Sequence, residues 1–475
     1  MDPGLKIITS EQSRLCDALT MKQEGMQQHD LMDRAVRRIF QYLQTLLTPD
    51  AHVTVICGPG NNGADGVCLA SLLAAHGYRI NTKICLFGKK PAQALAFRML
   101  LYSTQSGMNI EVVEDADSIC LPPNAVIIDA LFGTGLTNPL QDSWKSLVEK
   151  INASGVEIIS IDTPSGLPDE PYNENLTRIQ AGKVIAIQTP KPSLLYPEFK
   201  IDFRVVDCGI STESMDTKRY FLDTNPQVYA QMKGLLPARP RHSHKGTFGH
   251  TLLIGGNQGM HGAIAMAAKA CYESGSGLTT ALSPETAVAY LANCPGVMHL
   301  SRTLNETAFE GLPAAKYRSV AIGPGLGNTK ETHKLLEAVI NHFRSPLIAD
   351  ADALNILSEQ PEMLKQLPEG SLLTPHPAEF TRLFGAAKSG REKEVLALTK
   401  SQELGIYILA KDTYSFLACP DGKVFYNGSG NARLARGGSG DALTGMIAGL
   451  FAQSQNMRDA ALAGMYFSGA GNPVI

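Results

Sequence analysis

No run of 18 apolar residues occurs in this chain, so no stretch of it is long enough to cross a membrane as a helix. The best candidate, Ala442 to Phe467, is interrupted by QSQNMRD. The opening MDPGLKIITS lacks the apolar core of a secretory signal, and a cytoplasmic protein with no membrane partner is expected. A basic stripe is also missing: the net charge is −3, which argues against nucleic acid as the main partner. The nine cysteines are odd in number, scattered, and nowhere spaced C-x-x-C. Several, such as Cys57 and Cys85, sit in apolar runs. They read as buried thiols in a reducing compartment, which excludes a disulfide or zinc framework. What remains is an ordinary globular chain, 44% hydrophobic and 18% charged, whose 475 residues call for two domains of about 200 to 250 residues.

The most informative stretch is RGGSGDALTG, Arg436 to Gly445. Gly437, Gly438 and Gly440 precede Asp441 and a helix-forming run from Ala442 to Phe451. Glycine permits a turn tight enough for successive N–H groups to converge, and the helix N-terminus adds its unpaired N–H groups. The result is an anion cradle suited to phosphoryl transfer, with Asp441 ionised and acting as a general base.

In the first half, apolar spacing predicts a helix over Ser10 to Leu47, capped by Ser10. His52 to Cys57 (HVTVIC) lacks polar alternation and reads as a buried parallel strand. It runs into GPGNNGADG, Gly58 to Gly66, and a helix from Val67 to His76, the context in which a glycine turn binds phosphate or a dinucleotide. Ile80 to Phe87 and Ala125 to Ile128 read as further strands, with a helix from Ala92 to Gln105 between them. Asp129 then leads into LFGTGL, and the strand Val156 to Ile161 ends in Asp162 and TPSGL. One aspartate after a strand is commonly a helix cap. Three polar endings on one sheet edge point to a site.

GPGNNGADG, DALFGTGL and SIDTPSGL, in that order, resemble the signature segments of the YjeF N-terminal domain, the NAD(P)HX epimerase, over residues 1 to 212. The resemblance implies a Rossmann-like fold and a potassium ion held by Asn62, Asp129 and Ser165. It also implies a hydrated nicotinamide lined by Asn61, Asn62, Gly63, Ala64, Asp65, Gly133, Thr134, Gly135, Leu136, Thr137, Asn138, Pro139 and Asp162, with Asp162 as the catalytic acid/base. The family usually carries glycine at the place of Ala64, where alanine would strain the loop if φ were positive. Lys191, in QTPKPSLL, resembles the family's late Lys-Pro segment and reads either as a contact to substrate phosphate or as a solvated surface lysine.

From Ser211 to Pro240 the regular pattern breaks, and the boundary is placed there, giving domains 1–215 and 216–475. Beyond it the strands Thr251 to Ile254, Ser319 to Ile322, Leu347 to Ala349, Ser371 to Leu373 and Ile406 to Ala410 lead into polar or glycine-rich segments. The ordered set HKGTFGH, GGNQG, GPGLG, DADALN, TPHPAE, KDTYS and GGSGDALTG closely resembles the NAD(P)HX dehydratase domain, a ribokinase-like α/β fold, from about Tyr220 onward. By that resemblance Ala263, Gly325, His376 and the catalytic Asp441 contact the hydrated cofactor. Lys411, Asp412, Thr413, Tyr414, Ser415 and Gly440 hold ADP, with Mg2+. On its own, His376 reads equally as a buried histidine. Asp412 stands where the family usually has glycine, and predicts a narrower pocket or repulsion toward phosphate. Ser468 stands where a histidine is common.

Fused in this order, the two halves resemble the bacterial bifunctional NAD(P)HX repair enzymes, which implies epimerisation of R- and S-NAD(P)HX and ADP-dependent dehydration of the S form. A homo-oligomer acting on NADHX or NADPHX is expected. The competing readings are a ribokinase-type vitamin-precursor kinase and a binding-only or scaffold N-domain; HKGTFGH and TPHPAE count against the first, the joint presence of Asp129, Asp162 and Ser165 against the second.

Overall fold

The structure is a computed structural model that describes residues 2–102, 108–133, 138–170 and 176–470. Its contacts divide the chain into one unit spanning Lys6–Thr217 and another made of Lys218–Ile475 with Met1–Leu5. The sequence reading gives the first residues to the first domain. They instead belong to the second because Asp2 is ion-paired there with Lys423 and Arg458, each at 3.1 Å, while the Gly4 amide donates to Gln231 Oε1 at 2.9 Å.

In the first unit a parallel seven-stranded sheet runs in the spatial order Met108–Val113, Arg79–Cys85, His52–Cys57, Ala125–Ala130, Ile158–Ile161, Lys183–Ile187, Phe203–Val206. The chain therefore starts in the middle, winds one way, and returns to wind the other. Val53, Val55 and Cys57 face the helices Gln28–Leu43, Asn61–Ala75 and Gln93–Tyr102, whereas Ile56, Ile127 and Ile158 face Asp142–Asn152. A sheet covered on both faces explains why its strands read as unbroken apolar runs. The helix expected over Ser10 to Leu47 is two, Ser10–Glu24 and Gln28–Leu43, because Gly25 takes the left-handed conformation that ends a helix. Thr9, not Ser10, is the cap, in a capping box with Gln12.

The second unit repeats the logic. Tyr407–Ala410, Leu372–Leu373, Leu347–Ala349, Ser319–Ile322, His250–Ile254, Leu278–Ser283 and Val297–Ser301 are adjacent and parallel in that order. Leu253, Ala321, Ile348 and Leu409 pack beneath His261–Glu273, Ser439–Ser454 and Met457–Ala470. Both units are three-layer α/β domains. Eight of the nine cysteines are buried as the sequence implies; Cys120 is exposed.

The helix Ser439–Ser454 lies against His261–Glu273 through small residues. A Cβ added at Gly445 would sit 1.9 Å from the Ala267 carbonyl oxygen, and one at Gly449 would sit 2.1 Å from Ser274 Oγ. This close approach fixes where the glycine turn before the helix emerges. Gly445→Ala forces backbone apart and is expected to cost about 3 kcal/mol, lowering the second unit's thermal midpoint by roughly 6 °C or more. A calorimetric scan showing an unchanged midpoint would refute the packing role.

Candidate functional site

Each sheet has a point at which the winding direction reverses, and the glycine loops lie there. In the first unit this point falls between His52–Cys57 and Ala125–Ala130, where open α/β sheets bind ligands at the carboxyl ends of their strands. A Cβ at Gly58 would lie 1.8 Å from the Leu131 carbonyl oxygen, and one at Gly63 would lie 1.9 Å from that of Gly58. Only glycine lets these backbones meet. The following helix begins at Asn61, not at Val67, so Asn61 to Asp65 occupy its first turn and a half rather than a loop. Ala64 is buried within that helix and is not among the residues with positive φ, so alanine causes no strain there.

A cavity of about 620 Å³ opens over this edge, lined by Asn61, Asn62, Asp65, Gly133, Asp162 and, from the first helix, Asp17. Asn138 and Pro139 line a neighbouring cavity of about 690 Å³ instead. Thr134, Gly135, Leu136 and Thr137 lie outside the described residues.

Beneath the cavity, Asp129 is fully buried at the end of its strand. It accepts hydrogen bonds from Ser165 Oγ (2.6 Å), Ser160 Oγ (2.7 Å), the Ser165 amide (2.9 Å) and the Leu131 amide (3.2 Å). Burial pushes its carboxyl up and the Ser165 and Ser160 bonds oppose the shift. Ser165 Oγ accepts from the Phe132 amide at 2.8 Å. The next residue, Gly133, faces the Asn62 side chain, whose Nδ2 is buried without a hydrogen bond. Asp129, Ser165 and Asn62 thus join into one oxygen-rich patch through Phe132 and Gly133.

Asp162 takes φ +66° in a tight three-residue turn closed by the Thr163 amide on the Ile161 carbonyl at 2.9 Å. A left-handed non-glycine residue at a strand end is strained, and here the turn aims a carboxylate into the cavity. Its Oδ1 makes no hydrogen bond and lies 3.5 Å from Lys191 Nζ. Lys191 is 1% exposed. It is therefore neither a phosphate contact nor a surface lysine, as the sequence suggests, but the buried counter-ion of Asp162. The cations lining the cavity that remain open to solvent are Arg14 and Lys89.

In the second unit the reversal falls between His250–Ile254 and Ser319–Ile322. Gly325 (φ +58°) packs on Met260 and on Ala263, whose Cβ an added Cβ would meet at 3.1 Å. Further along the same edge Asp350 is completely buried, accepting from Lys411 Nζ (2.8 Å) and Thr444 Oγ1 (2.7 Å). Burial raises its carboxyl, but Lys411 and Thr444 outweigh it and hold Asp350 below the usual range. A Cβ at Gly440 would lie 3.3 Å from Lys411 Nζ, so the ammonium stands beside the glycine turn. The helix starts at Ser439, earlier than the sequence suggests, with Gly438 (φ +87°) as its cap and Ser439 Oγ buried and unpartnered. Asp441 is pushed up to about 6 by burial and by Asp350, and Lys411 opposes the shift. It remains mostly ionised at neutral pH, but less firmly than its helix position alone suggests.

His376 caps the helix Pro377–Phe384. Its Nδ1 accepts from the Ala378 and Glu379 amides, and Nε2 faces Glu379 Oε1 at 3.3 Å. Burial and Lys411 lower its pKa, and the ring is half exposed beside the Lys411 network rather than buried. The Asp412 carboxylate pairs with Lys393 Nζ at 2.8 Å and accepts from the Thr413 amide at 2.8 Å, so its charge is compensated within the protein. Ser415 Oγ accepts from the Asp412 amide, closing the Lys411–Ser415 turn; Thr413 is exposed and Tyr414 half-buried. Sequence reading passed over Asp17, Asp350, Thr444 and Ser439 as site residues. Asp350 carries the same signal as Asp129 and Asp162, an aspartate ending a buried strand. Asp17 carries none, since it is one acidic residue in a polar helix.

Comparison with known proteins gives the same division. Residues 28–193 match the family model of the YjeF-related protein N-terminus, and residues 251–473 match that of NAD(P)H-hydrate dehydratase. The bifunctional NAD(P)H-hydrate repair enzyme Nnr of Coxiella burnetii is 31% identical over 94% of this chain and 90% of its own length. The enzyme of the same name from Escherichia coli K12 is 31% identical over 95% of this chain and 86% of its own. Among solved structures, an ADP/ATP-dependent NAD(P)H-hydrate dehydratase from Bacillus subtilis is 30% identical, covering 51% of this chain and 86% of its own, with a TM-score of 0.44. On identity that runs almost end to end and spans both units, the chain belongs to the family of bifunctional NAD(P)H-hydrate repair enzymes.

Proposed function

We propose that the chain repairs hydrated NADH and NADPH: the first unit interconverts the R and S epimers, and the second dehydrates the S form at the expense of ADP, releasing AMP and phosphate. The observation that carries the reading is the pairing of two unlike sites on one chain. One is a cavity with a carboxylate held by a buried counter-lysine; the other is a glycine cradle with an aspartate and an ammonium.

In the second unit Asp441 takes the proton of the C6 hydroxyl as its oxygen attacks the β-phosphorus of ADP. Lys411, Ser439 Oγ and the N–H groups of the turn stabilise the charge on the transferring group. Attack on the β-phosphorus displaces AMP. Phosphate is a better leaving group than hydroxide, and its departure from C6 together with loss of a C5 proton forms the C5–C6 double bond and restores the dihydronicotinamide ring. The donor is taken as ADP from the family resemblance. Magnesium neutralises phosphate oxygens when bound; with Asp350 engaged by Lys411 and Thr444, the nucleotide's own phosphates would supply most of its ligands.

In the first unit Asn61, Asn62, Gly133 and Asp162 take the hydrated ring, while Arg14 and Lys89 offer charge to the diphosphate. The Asp129 patch fits a potassium ion, because a wholly buried carboxylate without a basic partner among the described residues calls for a cation or a proton. Asn62, Asp129, Ser165 and the Phe132 carbonyl would hold it, and the ion would supply a fixed positive charge beneath the ring. The partners are small molecules, NADHX or NADPHX and ADP, and the compartment is taken as cytoplasmic. Among the described residues no helix is long and apolar enough to cross a membrane.

Two measurements test this. A mixed-epimer preparation of NADHX with ADP, magnesium and potassium should return all of its NADH absorbance, with the dehydration rate falling as pH drops below about 6 and Asp441 gains its proton. Recovery that stops when the S form is used up would remove the epimerase half; none at all would remove the dehydratase half. Potassium chloride, but not choline chloride, should raise the thermal midpoint of the first unit, and Asn62→Ala should abolish the difference. Equal midpoints in the two salts would rule the ion site out.

A further inference from the structure

Four carboxyls gather around Lys191: Asp162 by ion pair, and Asp17 and Asp169 through its electrostatic field, with Asp65 joined to the group through Asp162 and Asp17. Asp169 is engaged by Ser10, whose hydroxyl and amide both donate to its Oδ2. Asp65 stands in the helix that carries Asn62, with Oδ1 buried and unpartnered, and burial and Asp162 push it up to about 8. At neutral pH it is a neutral wall of the cavity. That leaves Asp162 and Asp17 as the carboxyls with chemistry to offer, and both line the same 620 Å³ cavity from different elements.

From the geometry we infer that Asp17 is a second catalytic residue of the epimerase, the proton donor that works opposite Asp162; this rests on the epimerase reading above. Inverting C6 needs one bond at that carbon to break and re-form on the other face. Asp162, ion-paired with Lys191, takes the C6 hydroxyl proton, and the C6–O bond gains double-bond character as the C6–N1 electron pair moves onto N1. Asp17 gives its proton to N1. The opened aldehyde turns about the C5–C6 bond. Asp17 then takes the proton back from N1, N1 attacks the opposite face of C6, and Asp162 returns a proton to the oxygen. Each group ends as it began, and no oxidant, reductant or water is consumed.

The surroundings of Asp17 fit a donor. Burial is the largest influence and the Asp162 charge adds to it, while Lys191 opposes both; the result is a carboxyl pushed up to about 6. The groups facing it are Asp162 from the strand-end turn, Asp65 from the helix Asn61–Ala75 and Lys191 from the segment after Lys183–Ile187, with Arg14 lining the cavity from its own helix. A donor with that pKa loses its proton as the pH rises, so epimerisation should slow above about pH 6 while the dehydratase does not.

The test uses the full-length chain and pure R-NADHX without ADP, so that the dehydratase is silent, and follows formation of the S epimer. Asp17→Asn should lower the rate at least about 100-fold and remove the fall above pH 6, and Asp17→Glu should restore part of both. Dehydration of S-NADHX by the same variant, with ADP added, should match the wild type and show that the chain is folded. An Asp17→Asn chain that epimerises at the wild-type rate, or keeps the alkaline fall, overturns the inference while leaving the epimerase reading intact. A wild-type chain that forms no S epimer overturns both.

Discussion

Backbone meeting backbone at the carboxyl edge of each sheet is the constraint on which both sites depend. A side chain at Gly58 would strike the Leu131 carbonyl at 1.8 Å, one at Gly323 the Asp350 carbonyl at 1.7 Å, and one at Gly255 the Pro324 carbonyl at 2.1 Å. Each contact locks together two loops that leave neighbouring strands, at the reversal point for Gly58 and Gly255 and one strand further along the edge for Gly323. With those loops locked, Asn62 comes to Gly133, and Asp350 is held where Lys411 and Thr444 can reach it. The similar GPG turns of the two units follow from this shared demand and need no common ancestor.

Charge is handled differently in the two units. In the second, Asp350 is satisfied by Lys411 and Thr444, so its charge is compensated and serves to place the ammonium beside the cradle. In the first, several carboxyls gather around one buried ammonium, and burial raises Asp17, Asp65 and Asp129 above the usual carboxylate range. A compensated charge suits a site that binds and stabilises an anion. An excess of carboxyls holding protons near neutrality suits a site that moves them.

How much of this was legible in the sequence depended on what fixed each residue's place. Strands such as Ser319–Ile322 and Leu347–Ala349 were read to the residue because burial on both faces makes them continuous apolar runs. Short or partly exposed strands such as Met108–Val113 and Phe203–Val206 carried no such signal. The glycine turns were found by composition, but their lengths were not: both site helices begin earlier than propensity suggests, since asparagine, serine and glycine are tolerated in a first turn. Lys191 was misread because nothing local marks a lysine as buried, and the pairing of Asp412 was not legible because its partner Lys393 is 19 residues away in the chain. Asp17 reaches its cavity only through tertiary packing.

The central claim is that each unit carries one complete half of the repair. The most direct measurement uses two full-length variants, Asp162→Asn and Asp441→Asn, each given mixed-epimer NADHX with ADP and then combined. Asp162→Asn alone should stop once the S form is consumed, Asp441→Asn alone should return no NADH, and the mixture of the two should run to completion. Complete conversion by either variant alone, or a mixture that stalls where Asp162→Asn does, would contradict the assignment of the two chemistries to the two sites.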